Sequence, residues 1–284
     1  MSVSQNSSNP PARGAMAAAS PESETVEVLN PPERAKNKAW IVRLISIAVV
    51  LAGWEIVGRQ VSPLFMSYPT AIFHAAVALV SSGELGSALL SSFRTLLIGF
   101  VVASVIGIVL GLLIGRYKMM DAATDWLVNA LYATPLVAIV PLVILWFGLG
   151  DLAKFFIVTL LAVFPVLINT AAGVRNVPQN LIDVSTAFHA NERQVFTKII
   201  LPAAVPYMMT GLRLGIGRAI IGMVVAEFFT AITGLGALIV KFGNQYDTAS
   251  MFVPILILML MGIGLTSLVR WFEESCAPWR SADE

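Results

Sequence analysis

Six stretches of this chain are apolar over about 20 residues or more, the length a helix needs to cross a bilayer. They run over roughly 40–58, 89–114, 124–148, 153–174, 205–232 and 251–272. The pattern predicts an all-α polytopic membrane protein with six transmembrane helices. A seventh apolar run, AIFHAAVALV at 71–80, covers only about 15 Å as a helix and is too short to span. It is expected at a membrane interface, with His74 in an ordinary interfacial setting.

Residues 181–202, LIDVSTAFHANERQVFTKIILP, break the rhythm. Connectors between elements are usually about 4–6 residues long, and this one is longer and helix-prone. Pro178 fits a helix start and Asn180 an N-cap, giving a first short helix to about Phe188. A break follows at His189-Ala190-Asn191, and Asn191 can cap a second helix. That helix has Glu192 in its first turn and Lys198 near its end, both favourable to the helix dipole. Val195, Phe196, Ile199 and Ile200 follow the spacing of a buried face, and Pro202 leads into the fifth span. The expectation is a helix–break–helix element at the membrane surface.

Lysine and arginine decide which surface. With the N-terminus inside, the inner segments hold ten (Arg34, Lys36, Lys38, Arg116, Lys118, Arg175, Arg193, Lys198, Arg270 and Arg280) and the outer segments three (Arg59, Lys154 and Lys241). Positive charge is retained on the cytoplasmic side, so both termini and the 175–202 loop are expected there.

Small residues recur four apart in two spans. Gly99, Ala103, Gly107, Gly111 and Gly115 form one ridge; Gly211, Gly215 and Ala219 form another. Such ridges let helix backbones approach, either within the chain or at a dimer seam. Pro135, Pro141, Pro165 and Pro254 lie inside spans, as static kinks or as pivots of a moving bundle. Pro135 and Pro141 are expected in one helix, near Asn129.

Composition agrees with this reading. The chain is 57% hydrophobic and 12% charged, against roughly 45–50% and about 25% in soluble domains. A net charge of +1 gives no hint of nucleic-acid binding. The single cysteine, Cys276, rules out an intrachain disulfide and argues against a cysteine metal site. Residues 1–33 are rich in Ser, Asn, Pro and Ala and lack both a core and a secretory h-region. They are expected to be a disordered cytoplasmic tail. The domain reading is therefore tail 1–38, transmembrane domain 39–275 with its loop at 175–202, and a short cytoplasmic tail 276–284.

Ionisable residues within spans are costly and usually functional. Arg213, Arg218 and Glu227 share the fifth span. Arg213 and Glu227 point within about 40° of each other at 100° per residue, roughly 21 Å apart. Arg218 lies near mid-membrane, where it could meet an anionic solute or pair with a neighbouring helix. Glu227 is a candidate gate or packing-network residue, and Asn129 a candidate pathway residue.

The 181–202 segment resembles the EAA loop of ABC-importer permeases, patterned E-A-A-x3-G-x9-I-x-L-P. Asp183 stands at the acidic position, Val184 and Ser185 at the two alanines, and His189 at the glycine; Ala187 lies between, and Ile199, Leu201 and Pro202 match the closing residues. SGELGSALLSSFRTLLIGF at 82–100 and LPAAVPYMMTGLRLGIGRAIIGMVVAEFF at 201–229 resemble the nitrate/sulfonate/taurine branch. The resemblance covers about residues 40–275. His189 is its largest departure, because glycine adopts positive φ at no cost and histidine does not.

The resemblance implies a type I importer permease in a bacterial inner membrane, working as a homodimer. It implies a pair of cytoplasmic ATP-binding subunits docked at the loop and an extracytoplasmic solute-binding protein. The implied cargo is a small anion such as a sulfonate, taurine or nitrate, or a vitamin precursor. ATP hydrolysis would sit on the partner, and the chain itself lacks a G-x4-G-K-[ST] phosphate cradle. No cofactor or metal is implied, and no catalytic residue. A secondary transporter or channel is the alternative from another class; it has no need of a structured loop ending in I-x-L-P.

Overall fold

A computed structural model describes residues 33–276. The tail expected over 1–38 lies largely outside the described residues, as does nearly all of 276–284. The chain divides within the first helix into two units, one ending at Val49 and the other beginning at Val50.

The described chain is helical throughout. Helix α1 (Glu33–Gln60) carries the first apolar run. The short α2 (Pro69–Ser81) is followed by α3 (Glu84–Arg116), α4 (Lys118–Ala133), a 3₁₀ turn at Leu136–Ile139, and α5 (Val140–Phe147). Helix α6 (Asp151–Arg175) precedes α7 (Gln179–Ala187), the four-residue α8 (Glu192–Val195) and a π turn at Phe196–Ile200. Helices α9 (Leu201–Thr230), α10 (Leu235–Asn244) and α11 (Thr248–Cys276) complete the order. Among the described residues, four helices are long and apolar enough to cross a membrane, or up to six spans if each of two bent pairs counts as one. That is the architecture of a multi-pass membrane protein.

Helix α6 is the axis of the second unit, with α3 on one side and α9 on the other. The glycine ridges explain the closeness. A Cβ on Gly107 would fall 2.8 Å from Val166 Cβ, and one on Gly211 would fall 3.0 Å from Asn169 Cβ. Both ridges therefore face α6 of the same chain. Lipid supplies no hydrophobic drive between helices, so this close fit is what holds the three together. Ala103, Val158, Ala162, Ala219 and Met223 fill the seam with hardly any exposed surface.

One expectation needs correction. The third span is not one helix with two kinks. Helix α4 stops at Ala133, and the 136–147 stretch departs at 84°. Proline at 135 removes an N–H and pushes the preceding residue out of the helical region; Thr134 accordingly sits at φ −70°, ψ 136°. Pro141 falls in the first turn of α5, where a missing N–H costs nothing. The segment after the fifth span, which carries Lys241, holds a helix of its own. Ala231 (φ 48°) and Gly234 (φ 105°) turn the chain, and α10 leaves at a bend of 46° from the preceding helix.

Candidate functional site

Residues 175–202 form the element that the polar stretch predicts, with shifted details. Helix α7 begins at Gln179, so Asn180 lies inside the first turn rather than at the cap. Its Oδ1 accepts from the Leu181 N–H at 3.0 Å. Asp183 is exposed and accepts from Gln179 Nε2 at 3.2 Å. Helix α7 ends at Ala187, and His189 takes the left-handed conformation with φ 52°. That is the backbone state a glycine adopts freely. Asn191 then opens α8 with a capping box: its Oδ1 accepts from Gln194 N at 2.9 Å, and Gln194 Oε1 accepts from Asn191 N at 2.9 Å.

One face of this element anchors it. Ile182, Val195, Phe196 and Ile200 pack with Val174 and Ala204 at the ends of α6 and α9. Ser185 is buried on that side and donates to Ile182 O at 2.6 Å. The other face is apolar and bare. Leu181, Val184 and Phe188 follow the i, i+3, i+7 spacing of one helical stripe, and Phe188 is 82% exposed. Sequence reasoning missed Phe188 as a functional residue; the stripe itself was its signal. Ile199 and Leu201 are half-buried, and Pro202 is exposed in the first turn of α9. From Glu192 to Thr230 the chain runs as one rod, so the loop's second half is rigidly continuous with α9.

Midway along α9, Arg218 is exposed and its guanidinium lies 5.9 Å from the centre of the Tyr132 ring. Tyr132 belongs to the last turn of α4, just before the break. Among the described residues no carboxylate pairs with Arg218. Asn129, on the same helix as Tyr132, donates to Asp125 Oδ2 at 3.0 Å. Arg213 points elsewhere: its Nη1 is 3.3 Å from Glu273 Oε2 on α11. Glu273 Oε2 is buried and lacks hydrogen-bond alignment, so the contact is an ion pair only.

For Glu227 the sequence leaves a gate or a packing-network role open, and the structure places it in such a network. It is 0% exposed and belongs to a packing network at the α10 end. Ser92 of α3 donates to its Oε1 at 2.7 Å, and the Gly236 N–H donates to its Oε2 at 2.8 Å. Ser92 Oγ in turn accepts from the Leu235 N–H at 2.8 Å. The carboxylate thus caps the start of α10, where negative charge and free N–H groups attract. Lys154, 1% exposed, donates to Thr233 Oγ1 at 2.7 Å in the same region. Hydropathy patterning counts Lys154 as an outer-loop charge; its burial comes from α6 beginning below the α9–α10 corner. Among the described residues no group of three or more His, Cys, Asp or Glu is placed to hold a metal ion.

The family described as "Binding-protein-dependent transport system inner membrane component" matches residues 103–277. A protein of Bacillus subtilis (strain 168) described as an aliphatic sulfonates transport permease, SsuC, is 33% identical over 266 residues, covering 93% of this chain and 96% of its own. A nitrate import permease, NrtB, of Synechocystis sp. is 29% identical and covers 82% of this chain and 88% of its own. Among solved structures, an amino acid ABC transporter crystallised with histidines superposes with a TM-score of 0.54 at 18% identity, over 70% of this chain and 97% of that one.

Proposed function

The chain belongs to the family of binding-protein-dependent transport system inner membrane components, the permeases of ABC importers, and from that premise we propose how it works and what it carries. The 175–202 loop is the seat of a cytoplasmic ATP-binding subunit. The observation that supports this is the bare apolar stripe of Leu181, Val184 and Phe188 on an element whose other face is anchored. Such a stripe is costly in water and suits a matching apolar cleft. Asp183 and Ala187 flank it, Val184 belongs to it, and His189 sets the bend that presents it. Ser185, Ile199, Leu201 and Pro202 tie it to the bundle.

ATP hydrolysis takes place on that partner, and the rod from Glu192 to Thr230 carries its movement into α9. Both termini and the loop face the cytoplasm, and the permease domain is 39–275 between two short tails. Two copies of the chain form the pathway, and a solute-binding protein delivers cargo at the α10 end. The cargo is a small anion of the sulfonate or nitrate kind. The relatives' substrates support this, and so does the exposed, unpaired Arg218 beside the broken helix. Guanidinium offers several donors and a fixed charge to a tetrahedral or planar oxyanion.

The test is co-purification followed by reconstitution. Phe188→Ala should release the ATP-binding subunit, while the chain itself still inserts and remains folded. A screen of taurine, ethanesulfonate, nitrate and a neutral pyrimidine for stimulated ATP hydrolysis then names the cargo. A complex that survives Phe188→Ala with Val184→Asp overturns the docking surface, and stimulation by the pyrimidine alone overturns the anion.

A further inference from the structure

Arg175 ends α6, and α7 begins four residues later at Gln179. Its guanidinium reaches across to α4. Nη2 lies 2.8 Å from Asp121 Oδ1, and Nη1 lies 3.8 Å from Asp125 Oδ1. The two aspartates are one turn apart on a single face of α4. The Asp121 contact lacks hydrogen-bond alignment, so charge rather than directed bonding holds it.

Apolar packing holds α4 only thinly, through Val128 against Ile114, Leu167 and Ala171. The helix contributes no buried residue. Between it and the bundle lies a recess of about 880 Å³, lined among others by Arg116, Asp121, Trp126, Arg175, Gln179 and Ile182. A smaller cavity of about 170 Å³ continues along α4 to Asn129, and it too is lined by Asp125 and Arg175. The ion pairs therefore bridge the recess at the start of α4, ahead of its apolar contact at Val128. At the same end, Arg116 of α3 lies 3.9 Å from Glu192 of α8.

The polar face of α4 leads from this bridge toward the middle of the bundle. Asp121, Asp125, Asn129 and Tyr132 follow one another at helical spacing, and Asn129 bonds to Asp125. Eleven residues of helix carry that stripe about 16 Å. It ends at Tyr132, under the Arg218 guanidinium and next to the break at Pro135.

We propose that Arg175 is a positioning residue: an ionic strut that makes α4 follow the docking loop and so sets Tyr132 against Arg218. The inference rests on the docking role proposed for the 175–202 loop. When the loop moves, the end of α6 moves with it, and the strut carries α4 along. Half-exposed ion pairs suit this task, because they are strong enough to bias a loosely packed helix and weak enough to re-form elsewhere.

The experiment uses the full complex with its ATP-binding and solute-binding partners in liposomes, with taurine and nitrate as probes. Arg175→Gln should keep the complex assembled and hydrolysing ATP, while uptake per ATP falls about tenfold or more. The charge exchange Arg175→Asp with Asp121→Arg should restore at least half of it. Spin labels on Ala123→Cys and Asn180→Cys, in a Cys276→Ser background, report the α4–α7 separation without any substrate. That separation should stay fixed between nucleotide-free and vanadate-trapped states, and spread in Arg175→Gln. Unchanged uptake per ATP and an unchanged distance distribution in Arg175→Gln overturn the strut. So does a charge exchange that rescues neither readout. A wild-type chain that captures no ATP-binding subunit overturns the docking reading instead, a separate result from an intact complex with an indifferent Arg175.

Discussion

Ser92 and Glu227 meet inside the bundle through a 2.7 Å hydrogen bond, and neither side chain has any exposed surface. Each also receives a backbone N–H from the start of α10. The pair therefore stitches α3, α9 and α10 at one point. Removing the carboxylate leaves the Ser92 hydroxyl and the Gly236 N–H unsatisfied. Hydrogen bonds to a charged group are worth about 1.5–3 kcal/mol each. Glu227→Ala should destabilise the protein by about 3 kcal/mol in denaturant unfolding in detergent. Glu227→Gln keeps one oxygen acceptor and should lose roughly half as much.

The α3–α6 seam makes a sharper distinction between neighbouring positions. A Cβ at Gly111 would stand 2.7 Å from the backbone oxygen of Leu167 and 2.6 Å from Thr170 Cβ, whereas nothing lies within 4 Å of Gly86. Backbone cannot step aside cheaply. Gly111→Ala should cost about 1–3 kcal/mol by forcing the helices apart. Gly86→Ala, in the first turn of the same helix, should be neutral or stabilise by up to about 1 kcal/mol. The same seam buries Thr170 Oγ1 without a hydrogen-bond partner. Replacing it with the isosteric valine should raise stability by about 1 kcal/mol. Thermal unfolding of the three variants side by side checks all of this.

How much of this architecture could be read from residues alone depends on what each feature needed. The spans were legible because lipid demands long apolar runs, and α3, α6, α9 and α11 follow them. The break at Pro135 was half legible: the proline was visible, but the 84° bend depends on the Thr134 backbone leaving the helix. The break at His189 was legible from Asn191 as the cap of a second helix, and its positive φ from the glycine that the loop pattern expects there. Helix α10 was missed because ten residues are too few to stand out from an apolar loop. Arg213 with Glu273, and Arg175 with Asp121, lie 60 and 54 positions apart. No periodicity within one helix could pair them. Glu227 was legible as a residue with a task because intramembrane acids are costly; which of gate or packing network applied depended on three helices meeting around it.

His189 offers a test in which a substitution should help. An L-residue in the left-handed region costs roughly 1–2 kcal/mol, and His189 sits there at φ 52°. Glycine accepts that conformation without penalty. His189→Gly should therefore stabilise by about 0.5–1 kcal/mol and keep the ATP-binding subunit bound. His189→Val, whose branched Cβ suits that region least, should destabilise the loop and weaken co-purification. Retention by the glycine variant and loss by the valine variant would tie the bend itself, rather than the imidazole, to docking.

Arg218 is the position where charge and shape can be separated. Its guanidinium lies over the Tyr132 ring, a contact worth about 0.5–2 kcal/mol. Lysine keeps the charge but forfeits the flat, forked geometry. Glutamine keeps hydrogen-bonding capacity but forfeits the charge. If Arg218 meets an oxyanion, Arg218→Gln should cut uptake roughly tenfold or more, the equivalent of about 1.4 kcal/mol or greater. Arg218→Lys should fall between the two, and Tyr132→Phe should leave uptake within about twofold, since the ring face persists. If Arg218 serves only to fix α4 against α9, the order changes: Tyr132→Ala should then damage uptake as much as Arg218→Gln does. Initial rates of labelled nitrate and taurine uptake in liposomes, compared across these variants at equal ATP hydrolysis, separate a charge that meets the cargo from one that only positions a helix.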